Sequence, residues 1–145
     1  MLVRHAEAVG ERQGLDDGAR WLTKAGRAQA RELAKLVQDR GLMPTRIVAS
    51  PRVRTVQTAE LFAQGLGFRS TVEILPNLSF TAPAEQAARE LSAYPDDEIV
   101  AAFGHMPTLV EIAARLTAQR HQEGFSPAQA VLIEDGRVVW SAAPR

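Results

Sequence analysis

Short apolar runs, separated by helix-length amphipathic stretches, constrain the fold of this 145-residue chain more than any other feature. The runs are 1–3 (MLV), 46–50 (RIVAS), 72–75 (VEIL) and 99–103 (IVAAF), a length that suits buried strands rather than helices. Between the first two, residues 22–41 put Ala30, Leu33, Leu36 and Val37 on one helical stripe, with Thr23 as cap and Gly41 as stop. Ser50-Pro51 predicts a second helix, with Ser50 at the N-cap and Pro51 at the first helical position, running to about Leu66. A third helix is expected from near Pro83 to before Pro95, and a fourth from Pro107 to about Leu116. AVLIE and RVVWS, joined by Asp135-Gly136, read as a hairpin, because Asp-Gly fits a type I′ turn. This order predicts an α/β three-layer sandwich: a mostly parallel central sheet, helices on both faces, and a C-terminal hairpin. With no linker, repeat or low-complexity tract, residues 1–145 are expected to form one domain.

In open α/β sheets, ligands bind outside the carboxyl ends of the strands. Arg4 and His5 follow the first strand, Arg52 and Arg54 follow the second, and Gly104-His105 follow the fourth. Three strand exits therefore send cationic or imidazole groups to one rim, where helix N-termini also favour an anion. Seventeen basic and seventeen acidic side chains cancel over the whole chain. That argues against a general nucleic-acid or anionic-membrane surface and for a compact dianion, such as phosphate, held locally. The chain has no cysteine, which excludes a disulfide framework, a zinc–thiolate site and a cysteine nucleophile. With no apolar run long enough for a membrane span and no signal-peptide layout, the cytoplasm is the expected compartment.

Two imidazoles among arginines suggest chemistry as well as binding. A neutral imidazole nitrogen attacks phosphorus, and the phosphoramidate it forms is readily hydrolysed. Guanidinium groups neutralise the non-bridging oxygens that would otherwise repel the incoming lone pair, and a second histidine can donate to the transferring group. Such a site needs no metal or other cofactor, and no pair of histidines has the spacing of a helical metal site.

LVRHAEA, LTKAGRAQA, ASPRVRTVQTAE and GHMPTL, in this order, resemble the histidine phosphatase superfamily, the phosphoglycerate mutase-like group. The short length and the Arg-His-Ala-Glu-Ala form are most similar to its SixA-type phosphohistidine phosphatases. The likeness runs from residue 1 to about residue 110 and is weaker over the hairpin. It implies that His5 is the phosphorylated nucleophile, that Arg4 and Arg54 clamp phosphate, and that His105 contacts it. This chain has Ala6 where the family often has glycine, and fewer residues before the Arg-His pair than relatives commonly carry. The first strand is therefore expected to be a stub or to begin upstream.

Each of these residues has a plainer reading. His5 alone could be a loop histidine, Arg4 an exposed ion-pair partner, and His105 a turn histidine. Arg54 lies in the first turn of a helix, an unfavourable place for a cation unless an anion is bound nearby. Arg52 is expected at the surface, within reach of substrate, and His121 is expected to face solvent. Trp21 and Phe80 either line the mouth of the pocket or pack.

Relatives acting on phosphate esters carry a glutamate in the loop after the third strand, whereas PNLSFTAP has no carboxylate before Glu85. An alkoxide leaves poorly without a proton donor, but an imidazole can depart already protonated. The gap favours a phosphohistidine on a partner protein, for instance a histidine phosphotransfer domain. Glu7 is the best substitute acid, or orients His5 or Arg54; Glu85 and the Asp16-Asp17 pair are weaker candidates. The alternatives are a phosphatase of small phosphate monoesters or sugar phosphates, and a non-catalytic phosphate-binding module.

Overall fold

The computed structural model describes residues 1–119 and 123–145, so His121 lies outside the described residues. Its sheet has six strands: β1 (Leu2–Arg4), β2 (Arg46–Ala49), β3 (Glu73–Ile74), β4 (Val100–Gly104), β5 (Ala130–Glu134) and β6 (Arg137–Ala142). Their spatial order is β3-β2-β4-β1-β5-β6. The first four in that order are parallel; β5 is antiparallel to β1, and β6 is antiparallel to β5. Four helices cover the sheet: α1 (Lys24–Asp39), α2 (Val53–Leu66), α3 (Ala84–Ser92) and α4 (Thr108–Thr117). No helix among the described residues is long and apolar enough to cross a membrane.

The strands read as continuous apolar runs because both faces of the sheet are covered. Val3, Ile47 and Phe103 point toward α1 and α2, where they join Leu33 and Phe62; the rings of Phe62 and Phe103 meet edge-on at 5.2 Å. Leu2, Val48 and Ala102 point the other way, toward Leu109 and Ile112 of α4 and Ala87 of α3. The two-residue alternation of a strand thus feeds two separate cores from the same short segment. In α1, Thr23 caps as expected, accepting from Gly26 N–H at 3.0 Å. The buried stripe, however, uses Ala34 where Leu36 was expected. Asp135 and Gly136 take φ of 48° and 72°, which gives the hairpin its type I′ turn.

Two boundaries differ in ways that matter for the site. The second helix starts at Val53, after Arg52, and has no side-chain cap; Ser50 stands outside it with its hydroxyl committed elsewhere. The fourth strand ends at Gly104, so His105 is the first residue past it. β3 is only two exposed residues at the sheet edge, where Glu73 pairs with Arg46 at 3.0 Å.

Candidate active site

The register of the parallel strands assembles the site. Arg4 of β1 stands opposite Gly104 of β4, and His5 N–H donates to the Gly104 carbonyl at 3.1 Å. The next residue on each strand is therefore a histidine at the same level, and the two rings lie 5.3 Å apart between centroids. Ala49 of β2 pairs with Phe103 of β4, and Ser50 N–H donates to the Phe103 carbonyl at 3.0 Å. Ser50 thereby falls beside His105, with Oγ 2.7 Å from Nε2, and Thr55 Oγ1 lies 3.3 Å from the same nitrogen.

The His5 ring is held through its other nitrogen. Nδ1 donates to the Ala6 carbonyl at 2.8 Å, which leaves Nε2 as the bare nitrogen of the neutral ring. Thr58 of α2 fixes this turn, accepting from Ala6 N–H at 3.0 Å and donating to the Arg54 carbonyl at 2.7 Å. One helical hydroxyl therefore ties the His5 loop to the turn that carries Arg54.

Both arginines are anchored through their terminal nitrogens, Arg54 by Nη1 and Nη2 together on Asp17, and both leave Nε unpartnered. Arg4 Nη1 donates to the Phe125 carbonyl at 2.7 Å, and Arg54 Nη1 donates to the Asp17 carbonyl at 2.7 Å. In each, Nε is buried without a partner, as is His105 Nδ1. Buried donors are nearly always satisfied. Three of the four unsatisfied buried side-chain atoms among the described residues belong to the phosphate-site residues expected from the sequence. A tetrahedral oxyanion offers the acceptors these groups lack, and a guanidinium's Nε–Nη2 edge meets it with two parallel donors.

The charge balance points the same way. Arg20, Arg52 and Arg54 share one carboxylate, Asp17, at 2.9, 3.6 and 3.2 Å. No ion pair among the described residues involves Arg4, and burial lowers its pKa below the usual value. Hydrogen bonds from Arg20, then Arg54, hold the Asp17 carboxyl below its ordinary range. Burial pushes His5 down to about 4, with Arg54 and Arg4 adding to the effect. His105 falls to about 3, again chiefly from burial, then from His5 and Arg54. The neighbouring cations lower both values, but desolvation contributes more.

Glu7 does not face His5 or Arg54 through a hydrogen bond. Its exposed carboxylate accepts from Thr23 Oγ1 at 2.5 Å, while its N–H donates to Gln29 Oε1 and its carbonyl accepts from Thr23 N–H. Gly26 sits against the same residue, and a Cβ there would lie 2.0 Å from the Glu7 carbonyl oxygen. The motif LTKAGRAQA is thus the seat on which the His5 loop rests. Glu85 is exposed on α3 and bonded to Arg89. Arg52 lies at the rim, half-buried, with its guanidinium 4.5 Å above the Phe80 ring. Phe80 meets the His105 ring edge-on at 5.7 Å, whereas Trp21 is exposed beneath Arg12.

Ser50, Thr55 and Thr58 escape a reading of charged and imidazole residues, and Asp17 enters it only as a weak acid candidate, not as a partner of the arginines. The first resembles a helix cap, and Asp17 lies in a loop whose placement no periodicity reveals. Thr55 and Thr58 carry the one available signal: two hydroxyl residues at helical spacing on the turn after Arg54.

A cleft of about 520 Å³ lies at the amino ends of β1 and β4, lined by Asp96, Asp97, Glu98 and Glu134 and by no arginine, lysine or histidine. Its acidic wall repels a phosphate, so the carboxyl-end rim is the better site. Among the described residues no group of three or more His, Asp or Glu side chains could hold a metal ion.

The model of the histidine phosphatase superfamily (branch 1) matches residues 1–81. The chain belongs to this superfamily. An uncharacterized chloroplastic protein of Arabidopsis thaliana is 32% identical over 126 residues, covering 81% of this chain and 58% of that protein. The chain thus spans somewhat over half the length of that relative. Among solved structures, the protein histidine phosphatase SixA complexed with tungstate superposes with a TM-score of 0.87 at 23% identity, covering 98% of this chain and 94% of that one. A proposed phosphohistidine phosphatase SixA from Agrobacterium tumefaciens superposes at 0.83 with 28% identity, covering 99% and 96%. Both share the phosphoglycerate mutase-like α/β fold described above.

Proposed function

We propose that this chain is a single-domain phosphatase that removes phosphate from phosphohistidine on a partner protein, through a phosphohistidine formed on His5. The observation that carries the reading is the set of unpartnered buried donors, Arg4 Nε, Arg54 Nε and His105 Nδ1, gathered around a neutral His5. In the first step the Nε2 lone pair of His5 attacks phosphorus in line. The bond from phosphorus to the substrate ring nitrogen breaks, and its electron pair stays with the departing ring. That ring leaves as neutral imidazole when it enters protonated on its second nitrogen. Arg4, Arg54 and His105 hold the three non-bridging oxygens as charge spreads over them. In the second step water attacks the phospho-enzyme, and inorganic phosphate leaves with His5 restored.

The substrate class follows from where the carboxyl groups are. Glu7 is spent on Thr23, Glu85 on Arg89, and Asp17 is held ionised by guanidinium groups. None is poised to protonate an alkoxide, and an imidazole leaving group needs no such acid. The A. tumefaciens structure's name supports the same class. The cytoplasm as compartment, and a phosphotransfer domain as partner, belong to this proposal.

The test incubates the protein with a phosphohistidine-bearing phosphotransfer domain and, separately, with p-nitrophenyl phosphate. The expected result is faster turnover of the first, acid-labile and base-stable phosphate trapped on the wild type, and none trapped on His5→Ala. Comparable turnover of both substrates would favour a monoesterase. Phosphate binding without turnover of either would reduce the chain to a binding module.

A further inference from the structure

We propose that Phe80 is the platform for the leaving group, a fixed phenyl ring against which the substrate's imidazole stacks as its bond to phosphorus breaks. The inference rests on the phosphatase reading above and adds a specificity-determining residue to it. It begins with a residue that is 43% exposed yet in contact with the site: its ring and the buried His105 imidazole meet at right angles, 5.7 Å between centroids and 86° between planes. An isolated exposed phenylalanine needs no explanation. This one, however, is held in place from several sides.

Arg52 covers the ring at 4.5 Å and is tied by Asp17 at 3.6 Å, the same carboxylate that holds Arg54. The backbone on either side of Phe80 is closed by turns, Ser79 N–H to the Pro76 carbonyl and Ala82 N–H to the Ser79 carbonyl, each at 3.0 Å. Ser79 and Thr81 hydroxyls bond across it at 3.0 Å, and Asn77 Nδ2 fastens the loop to Glu90 of α3. The ring therefore projects from a braced loop at the rim, adjacent to an imidazole expected to grip the phosphoryl group. Trp21, the other exposed aromatic considered for the mouth, has no ring contact with either histidine.

An in-line transfer places the departing nitrogen on the face of phosphorus away from His5 and toward the open side of the site. A histidine leaving group brings a flat, polarisable ring to that side, and offset or edge-on packing on a phenyl ring favours such a partner. A compact leaving group, such as the ammonia of phosphoramidate, has no surface to stack. Phe80 thus discriminates between two substrates that break the same kind of phosphorus–nitrogen bond.

The test compares kcat/KM for phosphoimidazole and phosphoramidate in the wild type, Phe80→Leu and Phe80→Trp. Leucine keeps the bulk and apolarity but removes the ring. The expected result is a roughly three- to tenfold fall in the phosphoimidazole-to-phosphoramidate ratio for Phe80→Leu, and recovery of the ratio in Phe80→Trp. An unchanged ratio in Phe80→Leu would overturn the platform while leaving the phosphatase intact. A wild type inactive on both substrates and on the phosphohistidine-bearing phosphotransfer domain would overturn the phosphatase reading, and the platform with it.

Discussion

Ser50 Oγ lies 2.7 Å from His105 Nε2, on the side of the imidazole away from its unpartnered Nδ1. A serine hydroxyl can donate to a bare ring nitrogen, and doing so leaves the ring proton on Nδ1. Of the two neutral tautomers, only that one offers a donor to an oxyanion. Ser50→Ala should therefore weaken the site by about 1 kcal/mol, roughly fivefold in kcat/KM, the loss being limited by Thr55 Oγ1 at 3.3 Å. Nitrogen-15 shifts of His105 should report the Nδ1–H form in the wild type and a mixture in the variant. A pure Nε2–H form in the wild type would contradict the assignment.

The two histidines also make a prediction about acid. In an unfolded chain a histidine takes its proton near pH 6.5, whereas in the fold His5 resists to about 4 and His105 to about 3. As pH falls from about 6.5 toward 4, the unfolded chain binds protons that the folded one refuses, and stability is lost over that window. Above it, both rings are neutral in either state and add no pH dependence. A His5→Gln, His105→Gln double variant should show a flatter dependence of Tm on pH between about 6.5 and 4 than the wild type. Direct titration by NMR should find His5 neutral at pH 5. A midpoint near 6.5 for both rings would remove the basis for an always-available nucleophile.

The strands and helices were legible because their physics is local. The apolar runs, the Thr23 cap and the Asp135-Gly136 turn each carry their own signal, and parallel pairing then brings Arg4, His5 and His105 together by register. What was not legible depends on contacts between distant segments. Ser50 followed by Pro51 has the form of a helix cap, and only the pairing of Ala49 with Phe103 shows that its hydroxyl is needed by His105. Asp17 lies in a loop with no period to place it, yet it binds three arginines. Glu7 follows His5 closely in sequence but turns toward α1 instead.

Gly26 should be intolerant of even a methyl group. An added Cβ would lie 2.0 Å from the Glu7 carbonyl oxygen, a backbone atom held by Thr23 N–H and unable to yield alone. Gly26→Ala must push the His5 loop off the start of α1, at a cost of about 1–3 kcal/mol typical of overpacking. A lowered denaturation midpoint and a disproportionate loss of phospho-enzyme formation are expected. A variant as stable and as active as the wild type would show that the loop shifts freely.

Asp17 should matter for substrate binding through Arg54 rather than as an acid. Its carboxyl is held ionised by Arg20 and Arg54, so it has no proton to give near neutral pH. Asp17→Asn keeps an acceptor for Arg54 and should raise KM only a few fold. Asp17→Ala leaves just the backbone carbonyl and should raise KM by about tenfold, a charge-assisted hydrogen bond discounted for the exposure of the carboxylate. An effect confined to kcat, with a lost alkaline limb in the pH profile, would instead mark Asp17 as a proton donor.

Arg4 and Arg54 should not tolerate lysine, although the charge is kept. Each guanidinium performs two tasks at once: Nη1 is anchored on a backbone carbonyl, Phe125 for Arg4 and Asp17 for Arg54, where Nη2 also bonds the Asp17 carboxylate, while the unpartnered Nε remains for the ligand. An ammonium is a point charge that cannot span both positions. Arg54→Lys is expected to lower kcat/KM by about a hundredfold or more, in the range of losing one preorganised donor to a developing oxyanion. Arg4→Lys should behave similarly and should also lose the tie between β1 and the segment at Phe125. Inhibition by inorganic phosphate or tungstate should weaken in step with catalysis. If lysine variants bound these anions as tightly as the wild type, the forked geometry would not be what holds the phosphoryl group.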